Sequence, residues 1–347
     1  MAVTIQDVAA KCGLSVALVG EAFANGSNIS SDARELIYQA ARELGYDPHG
    51  TGSPEQVNRS YHLGVLFQTE GHNGLLQWFF TGVLDAFKRE AERRGYDVTF
   101  INRNIGLSGM TYLDHCHFRR VDGVCIVCAD FNDPEVIDLA MSDIPCVTID
   151  HAFKERDCVQ SDNLVGMQKI VDYAVSLGHQ RIAYIHGQRR PLVTQQRVAG
   201  YYRAMREHWL EPEPGHVVES VYDEPNAAYR AVISLMRQPN PPTCILLADD
   251  RCCLGALDAA KSLGLRVPED LSIGGYDGNP MMQLMHPQIT TVEQDVRQMG
   301  TQAAELLIGR IEHPDTEPGE IVKVTPRILP GESIGPVKLD IESDPQE

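Results

Sequence analysis

Apolar residues in the first 46 positions recur at helical spacing in three short stripes. Ile5, Val8 and Ala9 form the first, Val16, Val19 and Phe23 the second, and Leu36, Ile37, Ala40 and Leu44 the third. Positions three and four apart share one face of a helix, so the pattern predicts three small amphipathic helices. Thr4 followed by Asp7 resembles a capping box, which sets an acid near the positive end of the first helix. Cys12-Gly13-Leu14 then breaks that helix, Ser15 caps the second, and Gly45 stops the third. From Asp47 to Ser60 the chain carries Pro48, Gly50, Gly52, Ser53 and Pro54 and reads as a linker, with a short helix able to start at Pro54.

After Tyr61 the period changes. His62-Leu63-Gly64-Val65-Leu66-Phe67 reads as a buried strand and Trp78 to Arg93 as a helix ending at Gly95. Further strands are predicted over Tyr96–Ile101, Val121–Val127, Pro145–Ile149, Arg181–Ile185, Thr243–Leu247 and Leu271–Gly275. Helical stretches lie between them, notably 161–178, 197–209, 225–237 and 251–264. Such alternation builds parallel sheets with helices on both faces, and ligands then bind outside the carboxyl ends of the strands. About nine strands over roughly 275 residues exceed one ordinary sheet, so two lobes are expected.

Composition narrows the class. The chain has 347 residues, of which 43% are hydrophobic and 22% charged, as in a soluble globular protein. No apolar run approaches the roughly eighteen residues needed to cross a bilayer, so no membrane partner is expected. The chain passes from Met1 into Thr4–Asp7 without a basic stretch or apolar core, so no secretory signal is expected. Nine cysteines, an odd number set mostly among apolar neighbours, fit a reducing cytoplasm better than a disulfide framework. The formal net charge of −18 opposes non-specific attraction to nucleic acid. Residues 1–60 alone hold four basic and seven acidic side chains, a net −3, whereas a DNA footprint is normally basic.

The first two helices and their short turn nonetheless have the form that seats a recognition helix in a major groove. Further along stand Arg197-Val198-Ala199-Gly200-Tyr201, Leu247-Ala248-Asp249-Asp250, Gly264 to Ser272, Gly275-Tyr276-Asp277, and Thr290-Thr291-Val292 with Gln294. Together with the N-terminal string, these motifs resemble the lactose-repressor (LacI/GalR) family of bacterial regulators from about Thr4 to Pro336. The resemblance implies an α plus α/β chain, with a three-helix helix-turn-helix headpiece before a two-lobed, periplasmic-binding-protein-like core of parallel sheets. Its expected segments are a headpiece over 1–47, a degenerate hinge over 48–60, an effector-binding and dimerisation core over 61–337, and an acidic tail over 338–347. It also implies a homodimer or higher assembly whose affinity for operator DNA is tuned by a small effector, with a carbohydrate expected.

Two departures from the family pattern stand out. The headpiece surface that would meet DNA is Thr4, Ser15, Val16, Ala17, Leu18, Gly20, Glu21 and Ser30. Family members carry polar base readers, then Thr, Ser and Arg, where this chain has Val16, Ala17, Leu18, Gly20 and Glu21. Hydroxyls bond phosphate and arginine reads guanine, whereas Leu18 and Gly20 do neither. The hinge stretch His49–Asn58 also lacks the leucine with which relatives wedge the minor groove. The alternative reading is a ligand-binding sensor with weak or lost DNA binding that acts through protein contacts.

For the effector, the resemblance points to Asn73, Leu75 and Leu76 from the first lobe, with Asp150, Arg197, Tyr222, Asp249 and Asp277. Arg197 is expected to open a helix after the loop Gly187–Gln196, where its fork of donors suits vicinal hydroxyls or a carboxylate. A helix-surface arginine in a salt bridge is the plainer reading. Asp249 and Asp277 follow predicted strands, where a switch-point ligand sits; helix capping is the plainer role and falls more readily to Asp250. His151 reads equally as an ordinary loop histidine. Cys125 and Cys128 sit three apart in a strand and point to opposite faces, so a buried structural role is expected. His115-Cys116-His117 lacks a second ligand cluster at zinc spacing, and Cys252-Cys253 at a helix start fits packing. No nucleophile–base–acid set, phosphate-cradling loop or catalytic metal motif emerges, so neither an enzyme nor a cofactor is expected.

Overall fold

The computed structural model describes residues 3–23, 29–44, 46, 59–68, 75, 77–105 and 108–337. The chain divides into two compact units, Met1–Ser60 and Tyr61–Glu347. Positions 47–58, including the helix start expected at Pro54, and the acidic tail lie outside the described residues.

In the first unit, helices α1 (Ile5–Cys12), α2 (Val16–Phe23) and α3 (Ser31–Leu44) close around Val8, Val19, Ala22 and Ile37, all fully buried. Each helix start is capped by a hydroxyl. The Thr4 N–H donates to Asp7 Oδ2 at 2.8 Å while Thr4 Oγ1 accepts from the Asp7 N–H at 3.4 Å. Ser15 Oγ accepts from the Leu18 N–H at 3.2 Å and Ser30 Oγ from the Ala33 N–H at 3.3 Å. These bonds satisfy amides that have no acceptor within the helix. On α2, Val16, Ala17 and Glu21 are exposed, whereas Leu18 and Gly20 are half-buried.

Gly20 is not required by space, because a Cβ there would meet only Ile5 Cδ1, at 3.8 Å. Glycine inside a helix costs about 1 kcal/mol relative to alanine. Gly20→Ala is therefore expected to raise the stability of the first unit by about that amount. Scanning calorimetry of the full chain tests this; a lowered midpoint for that unit would contradict it.

The second unit begins with β1 (His62–Phe67), α4 (Trp78–Arg93), β2 (Asp97–Ile101) and the short pair β3 (Asn104–Ile105) and β4 (Ser108–Gly109). Then come α5 (Tyr112–Arg119), β5 (Gly123–Cys128), α6 (Pro134–Met141), β6 (Cys146–Ile149) and β7 (Asp157–Ser161). The second lobe continues with α7 (Asn163–Ser176), β8 (Ile182–His186), α8 (Leu192–Glu207), β9 (Val217–Glu219) and α9 (Pro225–Met236). It is completed by β10 (Cys244–Leu247), α10 (Cys252–Ser262), β11 (Ser272–Asp277) and β12 (Thr290–Glu293). The chain then returns to the first lobe as α11 (Val296–Glu312) and β13 (Ile321–Val324), and ends in the second as β14 (Arg327–Leu329).

Two six-stranded sheets result, in the orders β13-β7-β6-β5-β1-β2 and β14-β12-β11-β10-β8-β9. All pairings within them are parallel except β12 with β14. Helices cover both faces of each sheet, which is why β5 (GVCIVC) and β10 (CILL) are buried at every position. The nine cysteines are free thiols. Cys125 and Cys128 are both buried in β5, and burial pushes the Cys128 thiol up to about 12. No helix among the described residues is long and apolar enough to cross a membrane.

Two elements differ from the sequence pattern for physical reasons. Helix α8 begins at Leu192, after Pro191, and not at Arg197. Its first turns carry Thr194 and Arg197, polar residues buried by cleft contacts, so no apolar stripe marks them. Strand β7 (DCVQS) is polar in sequence yet wholly buried. Asp157 is held by Arg310 through two bonds of 2.9 Å and by the N–H groups of Gly319 and Glu320 at 3.0 Å. Those partners lie more than 150 positions away, beyond the reach of any local pattern.

Candidate functional site

Both sheets reverse their strand order at one point, between β1 and β5 in the first lobe and between β8 and β10 in the second. Carboxyl ends of strands at such points leave a crevice that suits ligands. A cavity of about 630 Å³ lies there between the lobes, a volume ordinary for small-molecule sites. Gln68 follows β1, Ala129 follows β5, and Asp150 and His151 follow β6. From the second lobe come Arg197, Tyr222, Asp249 and Asp277, with Gln294 just past β12.

Asp150 and Asp277 hold equivalent places, one at the end of the fourth strand in each lobe. Both have positive φ, +57° and +111°. Aspartate tolerates this conformation better than most residues, and the sharp turn brings each carboxyl to the cavity lining. Asp150 Oδ1 accepts from the Ser161 N–H at 2.9 Å, and Asp277 Oδ1 from Gln294 Nε2 at 2.8 Å. Arg197 is 3% exposed. Its Nε donates to Asn163 Oδ1 at 2.8 Å and its Nη1 to the Ala248 carbonyl at 3.1 Å, and Nη2 lies 3.8 Å from Asp277 Oδ1. The guanidinium also stacks on the Tyr276 ring at 3.7 Å.

The two chain crossings nearest this site are wired into it. Asn163, at the first crossing, anchors Arg197, and Gln294, at the second, anchors Asp277. Sequence reasoning gave neither residue a site role, although Gln294 stood within a recognised motif. Trp78 at the start of α4 and Phe131 beyond β5 also line the cavity. Phe131 stacks on His151 with centroids 4.2 Å apart, forming an aromatic wall.

The capping role assigned to Asp250 belongs to Asp249. Asp249 Oδ1 accepts from the Cys252 N–H at 2.8 Å, and Oδ2 from the Asp223 N–H at 2.7 Å, which pins the Tyr222–Asp223 loop to α10. Asp250 turns instead toward Thr291 Oγ1 (2.5 Å) and the Asn279 N–H (2.6 Å). Tyr222 shares a hydrogen bond of 2.9 Å with Thr194 Oγ1, and its ring packs over Gly187, where a Cβ would lie 2.0 Å from the ring. Leu75 is 49% exposed and does not line the cavity. Asn73 and Leu76 lie outside the described residues.

Burial raises both cleft acids, Asp150 to about 6 and Asp277 to about 7. Arg197 pulls each back down, and Asp249 and Asp150 push Asp277 further up. A carboxyl whose folded pKa is raised binds its proton more tightly in the folded state, so stability falls as pH rises through that value. From about pH 4, where a free carboxyl ionises, to about 7 this contribution is expected to be lost, and Asp277→Asn to lose less of it. His151, His179, His186 and His216, whose values burial lowers, act in the opposite direction but equally in both proteins, so the difference between the two profiles isolates Asp277. Urea unfolding of both proteins at each pH gives the difference; parallel profiles would contradict it.

A helix-turn-helix unit and a two-lobed core with an interlobe cleft define a ligand-responsive DNA-binding regulator. The comparisons agree. Residues 4–49 match the family of bacterial regulatory proteins, lacI family, and residues 171–334 match a periplasmic binding protein-like domain. The HTH-type transcriptional repressor PurR of Pasteurella multocida (strain Pm70) is 27% identical over 335 residues, covering 95% of this chain and 98% of that one. Two solved structures each cover 96% of this chain and are themselves covered fully. The lac repressor dimer bound to operator and the anti-inducer ONPF superposes with TM-score 0.70 at 22% identity. The transcriptional regulator CelR–cellobiose complex superposes with TM-score 0.68 at 24% identity. The chain belongs to the lacI family and is a DNA-binding transcriptional regulator with an effector-binding domain. The family match over the headpiece favours this over a sensor acting through protein contacts alone.

Proposed function

We propose that this protein is a cytoplasmic, dimeric repressor whose operator affinity is set by a small carbohydrate bound between the lobes. The observation that carries the effector reading is the convergence of Asp150, Arg197, Tyr222, Asp249 and Asp277 on one cavity at both switch points. Acids and a guanidinium recognise hydroxyls, and Phe131 and Tyr222 offer ring faces to the apolar side of a sugar. Cellobiose in the CelR complex and ribose in a LacI-family regulator from Enterococcus faecium are in keeping with this. In the lobes, Arg197 and Asp277 act as direct ligand contacts, while Asp249 holds the loop that carries Tyr222.

For DNA, α2 enters the major groove with Val16, Ala17 and Leu18 as apolar contacts to thymine methyls, and Glu21 accepts from a cytosine amine. Gly20 lets the helix backbone approach closely. The first-turn amides of α2, with Ser15, Thr4 and Ser30, meet phosphates at helix N-termini. The headpiece spans 1–47, the linker 48–60 and the core 61–337, and the effector acts by preferring one arrangement of the lobes.

The test is a selection for bound DNA sequences by the full chain, with and without a sugar panel, followed by a salt titration on the recovered site. The expected result is one two-fold symmetric sequence whose affinity falls steeply with salt. Recovery of no sequence at low salt, with or without sugars, would overturn the DNA contacts assigned to α2.

A further inference from the structure

The cavity floor holds more carboxyl groups than cations to pair with them. Two of its acids are held elsewhere: Asp223 pairs with Arg251 at 2.9 Å, and Asp130 accepts from the Asn132 backbone and side chain, with Arg190 a weaker influence. Burial disfavours the charged form of His151. Asp150, Asp249, Asp250 and Asp277 remain, and the lining sets only Arg197 against them. Asp249 and Asp250 are bonded by amides and a hydroxyl and have no cation of their own, and burial raises both.

Hydrogen-bond capacity is lopsided in the same direction. Asp150 and Asp277 each use one oxygen, Oδ1, and leave Oδ2 without a hydrogen-bond donor among the described residues. Gln294, 2% exposed, donates its amide to Asp277, which orients its Oε1 the other way. That Oε1 is buried without a partner. Leaving such an acceptor unmet is costly. Arg197, the cation nearest Asp277, already spends Nε and Nη1 on Asn163 and Ala248. The floor therefore presents two half-used carboxyls and one orphan amide oxygen, acceptors in every case.

We propose that the effector is a carbohydrate bearing a protonated amine, and that its ammonium sits between Asp150 and Asp277 and donates to Gln294 Oε1. This deepens, and rests on, the carbohydrate reading of the cleft. An ammonium supplies three donors and one positive charge in a compact group, which matches three acceptors and a floor with four carboxyls to one guanidinium. A neutral sugar would supply donors but no cation to hold the carboxyls ionised, and an anionic sugar would add a further acid. Because Asp150 belongs to one lobe and Asp277 to the other, the ammonium also ties the lobes together. That gives the ligand the preference for one lobe arrangement that regulation requires.

Calorimetric titration of the full chain tests this with matched pairs: glucosamine against glucose, galactosamine against galactose, and mannosamine against mannose. N-acetylglucosamine serves as the uncharged control and glucuronate as the anion. At least one amine is expected to bind about tenfold or more tighter than its neutral partner, with the N-acetyl form behaving as neutral and glucuronate not binding. Asp150→Asn and Asp277→Asn are each expected to cut that amine advantage, the ratio of amine to neutral affinity, at least threefold. The acetylated control needs no mutation, so the result stands even if a variant misfolds. A neutral sugar or glucuronate binding as tightly as the amines overturns the ammonium and leaves the carbohydrate reading intact. No binding by any sugar overturns both.

Discussion

Arg197→Ala is expected to weaken effector binding by at least a hundredfold, equivalent to about 3 kcal/mol. Arg197 touches the cleft from the second turn of α8, and four groups hold it there: Asn163, Ala248, Tyr276 and Asp277. Alanine removes the ligand's donor fork and leaves Asp277 facing Asp249 and Asp150 with no cation between them. A buried partner stripped of its counter-charge typically costs about 3–5 kcal/mol in stability, so the variant is also expected to melt earlier. Arg197→Lys separates the two effects. Lysine keeps the charge beside Asp277 but cannot reach Asn163 and Ala248 together, so stability is expected to recover more than affinity. The chain supplies its own reporter. Of its two tryptophans, Trp78 lines the cavity and Trp209 is 96% exposed, so emission changes on titration report the cleft. Wild-type affinity in a folded Arg197→Ala protein would remove Arg197 from the site.

Gly255→Ala is expected to bring a large loss of stability by overpacking alone. A Cβ at this position in α10 would lie 1.8 Å from the Pro225 carbonyl oxygen and 2.6 Å from its carbon, both backbone atoms of α9. Backbone cannot rotate away as a side chain can, so the two helices must separate. Overpacking of this kind costs about 1–3 kcal/mol and sometimes more, and the upper end is expected here because a whole helix moves. Pro225 starts α9 directly after the loop that holds Tyr222 and Asp223. The shift is therefore expected to weaken effector binding as well as lower the urea midpoint of the core. An unchanged midpoint would show that the α9–α10 approach is looser than described. Gly20→Ala is the same chemical change with the opposite expected sign, because nothing closer than 3.8 Å opposes it.

These contrasts show why some of the site was legible and some was not. Asp277 was visible because it ends an apolar strand run, where switch-point ligands bind, and Arg197 because it begins a motif shared with the lactose-repressor family. Asn163 and Gln294 carried no such signal, since their importance lies in which cleft group each one holds across a chain crossing. The exchange of capping between Asp249 and Asp250 has the same origin. Adjacent acids before a helix look alike in sequence, and Thr291 and Asn279 decide which one turns away.

By itself the sequence determined the three capped helices, the central strands of both lobes and the change from helical to alternating elements at Tyr61. Those features rest on periodicity and capping, which act over a few residues. Only the tertiary structure decided that polar β7 is buried, that α11 and β13 return to the first lobe, and that four carboxyls share one guanidinium. Hydrogen-bond partners and charge balance in a cleft are set by residues far apart in the chain, and folding alone brings them within reach of one another.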